Sequence, residues 1–213
     1  MSLSGQYSQF LTIVDNYIGE AVEKTTARGR PISCGRGCSA CCYMMVETSW
    51  DEAVELAAFI RKRPKQIRDE LIRRVKAAAR ERRKFFSLRR STERYCRPTA
   101  SGKEATNKVT EDYFYDRKRP CPLLDQEKGI CSVYPARPTA CRLHIVSSPA
   151  QQCAREAGRG SSFTIPREIE SARKRVERKA ERALTDPRWG ELSIMLDHIL
   201  SHDIRPEIDR AQQ

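Results

Sequence analysis

The sequence predicts a mainly α protein, a helical domain wrapped around an irregular, cysteine-rich metal-binding loop region with at most a short hairpin. Three observations carry that expectation. Apolar residues recur at three- and four-residue steps in several segments, the period of an amphipathic helix. Outside Ile130 and Val133 there is little β-forming sequence and no internal repeat. Eight of the nine cysteines fall into two stretches, with a long basic helical segment between them.

Taken in order, residues 6 to 28 read as the opening helix, with Phe10, Leu11, Val14, Ile18, Ala21 and Val22 on one face. The string "RGRP" at 28–31 stops it, and a tight loop carrying Gly35 and Gly37 follows. A second helix starts near Ser49, because Ser49 and Glu52 stand at capping-box spacing and Asp51 also favours the first turn. Pro64 breaks that helix or starts the next. Residues 65 to 90 then form a basic helix with Ile67, Leu71, Ile72, Val75 and Ala78 or Ala79 as its apolar stripe. Between Arg61 and Arg94 stand 15 Lys or Arg and 4 Asp or Glu, so this segment carries nearly all of the chain's +12 net charge. Residues 95 to 120 are polar and irregular. Residues 121 to 153 form a knuckle or short hairpin around "EKGI". After Pro166, helices are expected at about 167–184, with Ile169, Ala172, Val176, Ala180 and Leu184 inward, and at 187–201. The domain reading is one cysteine-cluster domain over 1–213. Within it, 28–46 and 120–153 form the metal-binding core, 49–94 a basic helical insertion and 166–204 the C-terminal helices.

Composition narrows the function classes. A hydrophobic content of 39% is lean but sufficient for a folded core, and a mean hydropathy of −0.66 fits long solvated helices. The N-terminus lacks a basic region followed by an apolar core, and no apolar run approaches the roughly 18 residues a bilayer span needs. A cytoplasmic protein with no membrane partner is expected. In a reducing compartment clustered cysteines point to metal rather than disulfides, and an odd total argues against complete pairing. The basic helix reads either as a solvated face whose arginine stems shield apolar neighbours, or as a docking surface for an acidic protein or other anionic partner. No nucleic-acid motif accompanies it, and few aromatics interleave for base stacking.

The chemistry lies in the cysteines. Cys34, Cys38, Cys41 and Cys42 form a Cys-x3-Cys-x2-Cys-Cys run, and Cys121, Cys131, Cys141 and Cys153 follow downstream. Thiolates are soft ligands suited to zinc and iron–sulfur clusters, and short spacers let several converge on one centre. Adjacent cysteines point in different directions in most backbone conformations. One of Cys41 and Cys42 therefore faces a second metal or a different edge of the same cluster. Four plus four ligands permit two tetrahedral sites or one cluster with spare thiols, and the spacing leaves both open. Arg137 and Arg142 flank Cys141 and are candidate cofactor-binding donors to cluster sulfurs or nearby carbonyls; the alternative is a salt bridge that orders the loop. Tyr134 and Pro138 pack the knuckle.

The strings "CGRGCSACC" and "CPLLDQEKGICSVYPARPTACR", with a last cysteine at 153, resemble the YkgJ-type cysteine-cluster family, whose members are described as zinc- or iron-chelating proteins with a CxxCxxCC motif. The resemblance covers roughly 33–46 and 120–153 and implies metal binding by cysteine without fixing an activity. One branch includes flagellin lysine N-methylases, for which the resemblance implies an iron–sulfur cluster; those chains are longer and share only the cysteine motif.

Other residues are read against these. Cys96, in the polar loop, is a spare thiol. His144 stands at Cys-x2-His spacing from Cys141, but eight cysteines already suffice. His198 and His202 are i, i+4 on the last helix, without the Glu of a metalloprotease motif. Cys34, Cys38 and Cys41 also have the spacing of the radical S-adenosylmethionine loop. Ala40, the immediate fourth cysteine and the missing strand–helix alternation argue against it. An iron–sulfur cluster, [4Fe–4S] by preference, is the expected cofactor, because Gly35 and Gly37 beside mixed cysteine spacings suit sulfides that need backbone N–H donors; zinc is the alternative. Full thiolate ligation favours a structural or redox role over catalysis, since a catalytic metal keeps an open position. The alternative is a metal-dependent enzyme acting on a peptide or protein side chain, and no catalytic residue stands out.

Overall fold

The computed structural model describes residues 3–35, 37–88, 119–149, 164–183, 186 and 188–205. It is mostly helical, as expected. Helix α1, Leu3–Ala27, turns Phe10, Val14, Ile18 and Ala21 inward and ends where Gly29 takes a left-handed φ of 71°. That conformation costs glycine no Cβ clash, which is why the helix stops here. Helix α2 is Trp50–Arg61, α3 Lys65–Leu88, α4 Thr139–Leu143, α5 Arg167–Ala183 and α6 Leu192–Ser201. The capping box at the start of α2 is present: the Ser49 hydroxyl accepts from the Glu52 amide, and the Glu52 carboxylate accepts from the Ser49 amide. Pro64 lies between α2 and α3, where its fixed φ and missing N–H suit a helix start.

Three apolar clusters form the interior; the smallest gathers Met45, Ala79, Phe85, Phe86 and Ile194, and the two larger ones join helices. One joins α1 to α5 through Tyr7, Phe10, Val14 and Ile18 against Ile169, Ala172 and Val176. The other joins α2, α3 and α6 through Leu56, Ile60, Leu71, Val75, Met195, Leu196 and Ile199, and takes in Leu123 and Val133 from the cysteine region. The small strands are β1 (Glu47–Ser49), β2 (Leu124–Asp125), β3 (Ile130–Cys131) and β4 (Trp189–Glu191). β2 and β3 make the short antiparallel hairpin, and β1 pairs antiparallel with β4.

The β1–β4 pair corrects the expected helix from 187. Residues 189–191 are extended against β1, and α6 begins only at Leu192. The reason is Glu191, whose carboxylate accepts from the Ser193 and Ile194 amides as the N-cap of α6 and pairs with Arg82 at 2.7 Å, both side chains buried. Ile67, expected in the apolar stripe of α3, is exposed, whereas Leu71, Val75 and Ala79 are buried. Most of the polar stretch 95–120 lies outside the described residues, as do Cys96 and Leu184.

Some arginines of the basic helix bond to the rest of the molecule, and Arg82 is buried. Arg74 donates to the Leu124 carbonyl, Arg82 holds Glu191, and Arg83 pairs with Asp197 at 2.7 Å. Arg73 is tied to Glu70 on its own helix. Arg73, Lys76, Arg80 and Lys84, at three- and four-residue steps, form its exposed basic stripe. Among the described residues no helix is long and apolar enough to cross a membrane.

Candidate metal centre

The first cysteine stretch is shaped by backbone bonds rather than by regular structure. The Ser33 amide donates to the Val146 carbonyl, and the Val146 amide donates to the Cys34 sulfur at 3.2 Å. The Cys38 amide closes a turn on the Gly35 carbonyl, with Gly37 at φ 95°. A 3-10 turn over Ala40–Tyr43 then carries Cys41 and Cys42. The second stretch is tied to the first directly, because the Cys121 amide donates to the Cys42 carbonyl at 2.6 Å. The β2–β3 hairpin presents Cys131 opposite Leu124, and α4 carries Cys141. Gly129 sits at φ 64°, and a Cβ there would stand 3.6 Å from the Gly37 carbonyl oxygen, so the loops from the two stretches meet.

Cys38, Cys41, Cys42, Cys121, Cys131 and Cys141 line one cavity of about 80 Å³, together with Gly35, Gly37 and Arg137. Cys41 and Cys42, adjacent in sequence, both face it because the tight turn splays them over one side. Cys34 stands beside this set, engaged by the Val146 amide and packed against the α1–α5 cluster. Cys153 falls outside the described residues. The seven described cysteines are free thiols.

Burial governs their protonation. It pushes the Cys121 thiol up to about 12, and it raises Cys141, Cys131 and Cys34 as well. Neighbouring cysteines add to the rise at Cys141, because thiolates crowded together repel. Cys41 goes the other way, to about 7: it accepts a hydrogen bond from the Cys42 thiol, and the Arg137 charge also favours its thiolate. Cys42, as the donor, is raised. Cys34, Cys42, Cys121, Cys131 and Cys141 are thus all shifted toward the protonated thiol, and Cys41 alone toward the thiolate. Among the described residues, no three His, Cys, Asp or Glu side chains stand in a geometry that holds a metal ion outright. Closing these thiols on a metal takes side-chain rotation as their protons leave.

The two arginines differ. The Arg142 side chain is buried, donates to the Arg137 and Pro135 carbonyls and pairs with Asp15 at 2.6 Å, tying the turn before α4 to α1. Arg137 lines the cysteine cavity with its guanidinium 4.1 Å from the Tyr134 ring centroid, and its Nε is buried without a hydrogen-bond partner. An orphaned donor beside a wall of sulfurs fits an anionic thiolate–metal assembly, and the all-sulfur donor set fits a thiophilic metal.

A second cavity of about 530 Å³ shares Cys41 and Cys141 as walls; Met44, Met45, Leu143, His144, Arg173 and Val176 line it too, with Glu52 of α2 and Trp189 of β4 at its wall. His144 therefore faces this cleft and not the cysteine cavity. His198 and His202 stack at 4.4 Å, with His202 Nδ1 2.8 Å from the His198 carbonyl oxygen, and neither lines the cysteine cavity.

Sequence reasoning missed two contributors. Arg82 and Glu191 form a buried ion pair whose charges reach Cys121, hidden in sequence among a run of surface-like arginines. Glu52 was legible only as a cap, although its second oxygen accepts from the Thr139 amide at 2.8 Å. The model of a family described as a "putative zinc- or iron-chelating domain" matches residues 33–161. No curated protein and no solved structure matches the chain.

Proposed function

Because this chain belongs to the CxxCxxCC family, we propose that its two cysteine stretches close as one cage around an iron–sulfur cluster, in a structural or redox role. The observation that carries this reading is the single cavity lined by six cysteines drawn from both stretches. Its volume of about 80 Å³ is several times the ~10–15 Å³ that one water requires, which favours a multi-atom cluster, [4Fe–4S], over a lone zinc ion. The ligand set is drawn from Cys34, Cys38, Cys41, Cys42, Cys121, Cys131, Cys141 and Cys153. A bound cluster supplies one-electron chemistry at a potential set by charge, hydrogen bonds and exposure. Of the protein's own groups, Arg137 lines the cavity with a spare Nε–H to offer an anionic centre, while Arg142 holds the carbonyl turn from which α4 departs. In domain terms, 28–46 and 120–153 are the two halves of the core of a single 1–213 unit, with 49–94 inserted between them and 166–204 closing the helical wrap. A reducing cytoplasm keeps such thiols available, and the Arg73–Lys76–Arg80–Lys84 stripe offers an acidic partner its docking face.

The test is anaerobic purification. Brown protein absorbing at about 400 nm and carrying acid-labile sulfide is expected. Colourless protein with stoichiometric zinc and no sulfide would overturn the cluster in favour of zinc.

A second reading makes the centre catalytic toward a peptide or protein side chain. It is favoured by the cleft of about 530 Å³ that reaches Cys41 and Cys141, since a substrate there abuts the metal. An exogenous ligand that shifts the metal's absorption supports this reading, and a spectrum indifferent to added ligands rejects it.

A further inference from the structure

A carboxylate taken out of water is costly unless its lone pairs are satisfied. Glu52 is only 3% exposed, yet a capping box needs just one of its oxygens. That oxygen, Oε2, accepts from the Ser49 amide at 3.1 Å, the Ser49 hydroxyl at 3.2 Å and the Thr48 hydroxyl at 3.2 Å. The other, Oε1, leaves the helix. It accepts from the Thr139 amide at 2.8 Å and from the Tyr7 hydroxyl at 3.3 Å.

Thr139 is the first residue of α4, and Cys141 stands two residues further along that single turn. The preceding residue, Pro138, provides no side-chain cap, so Glu52 supplies the acceptor that the start of α4 lacks. On its other side, Glu52 holds Thr48 and Ser49 of β1, and β1 follows the turn bearing Cys41 and Cys42 by only a few residues. One buried carboxylate thus bridges the chain segments that deliver cysteines from both stretches, 87 residues apart at the Thr139 contact. Tyr7 anchors the same group to α1. Burial and the Glu52 charge raise its pKa, so the phenol stays a donor.

We propose that Glu52 is a positioning residue that holds the two cysteine stretches at the spacing the metal centre requires. This rests on the metal-binding reading above. The consequence separates from helix capping, because glutamine completes a capping box as well as glutamate does. Glu52→Gln therefore keeps the cap of α2. Glutamine keeps a single acceptor oxygen, and with it turned to the Ser49 amide within the same helix turn, its NH2 faces the Thr139 amide and the bridge to α4 is lost.

The experiment uses the full chain, freed of metal, with Co2+ as the probe. Hydrogen exchange is followed at residues 139–143, and Co2+ affinity is measured by chelator competition with the thiolate–cobalt absorption as readout. In Glu52→Gln, exchange at 139–143 accelerates while protection in α3 is kept, and Co2+ affinity falls roughly 10–100-fold, the range for groups that orient metal ligands. Leu196→Ala, buried in the helical layer away from the bridge, lowers the melting temperature with Co2+ affinity within twofold of wild type. Unchanged protection at 139–143 in Glu52→Gln overturns the proposal, as does lost protection with unchanged Co2+ affinity. A wild-type chain that takes up no metal overturns the metal reading instead, and the exchange at 139–143 then decides the bridge alone.

Discussion

Between Cys121 and Leu143 the chain makes two strands of two residues each, a three-residue 3-10 turn and a five-residue helix. The layer behind it, α2, α3 and α6, consists of helices of 12, 24 and 10 residues that share a dry apolar cluster. The helical layer is stabilised by buried area, at roughly 25 cal/mol per Å², and needs no ligand. The cysteine stretch has too few apolar side chains to follow suit. It leans on Leu123 and Val133, which it lends to the helical cluster, and otherwise surrounds a cavity with cysteines, of which Cys121, Cys131 and Cys141 are pushed toward the thiol by burial. The difference teaches where a bound metal would enter the energetics: one region buries its own side chains, and the other leaves its thiols around an open cavity.

Breaking the second region gives the largest effect. Cys141→Ser or Cys41→Ser should lower metal content, quantified by elemental analysis, with an affinity loss beyond the 10–100-fold typical of supporting groups. Helical stability should fall with it. Unchanged metal in both variants removes these residues from the ligand set. The converse variant lies in the helical layer. Leu196→Ala, at a fully buried position, should cost about 2–5 kcal/mol in denaturant unfolding, with metal stoichiometry intact in the folded fraction. A smaller loss is expected for Ser49→Ala, about 1 kcal/mol, because one capping acceptor at α2 disappears.

The smallest effect is one of pH. Burial, and next the Arg173 charge, depress the His144 pKa, so the folded protein prefers the neutral imidazole. Above the unfolded value of about 6.5 both states are neutral and this stability is fully present. As pH falls below it, the unfolded chain takes up the proton first, and stability is lost down through the folded pKa. His144→Gln should flatten that slope in unfolding curves of the metal-free protein, and an unchanged slope removes His144 as its source.

The helices were legible because periodicity is local. Phe10, Val14 and Ile18 on α1 and Ile169, Ala172 and Val176 on α5 declare their inner faces without reference to one another. Ile67 broke the rule: it is exposed on α3, because a position in an apolar stripe does not guarantee a partner. Strand β4 was missed because three residues carry too little pattern. Trp189–Gly190–Glu191 is extended only because β1 is there to pair with.

The sequence by itself determined the family and its thiol-rich donor set, through the cysteine types and spacings, and it determined the mainly helical class through apolar repeats and the Ser49–Glu52 cap. Tertiary structure alone decided which thiols share a cavity, that Arg82 turns inward from a basic helix, and that Glu52 reaches Thr139. The physical reason is range. Hydrogen bonding within a helix turn and apolar alternation act over a few residues, whereas the convergence of Cys42 with Cys121 depends on how distant elements stack, and no local pattern encodes that distance.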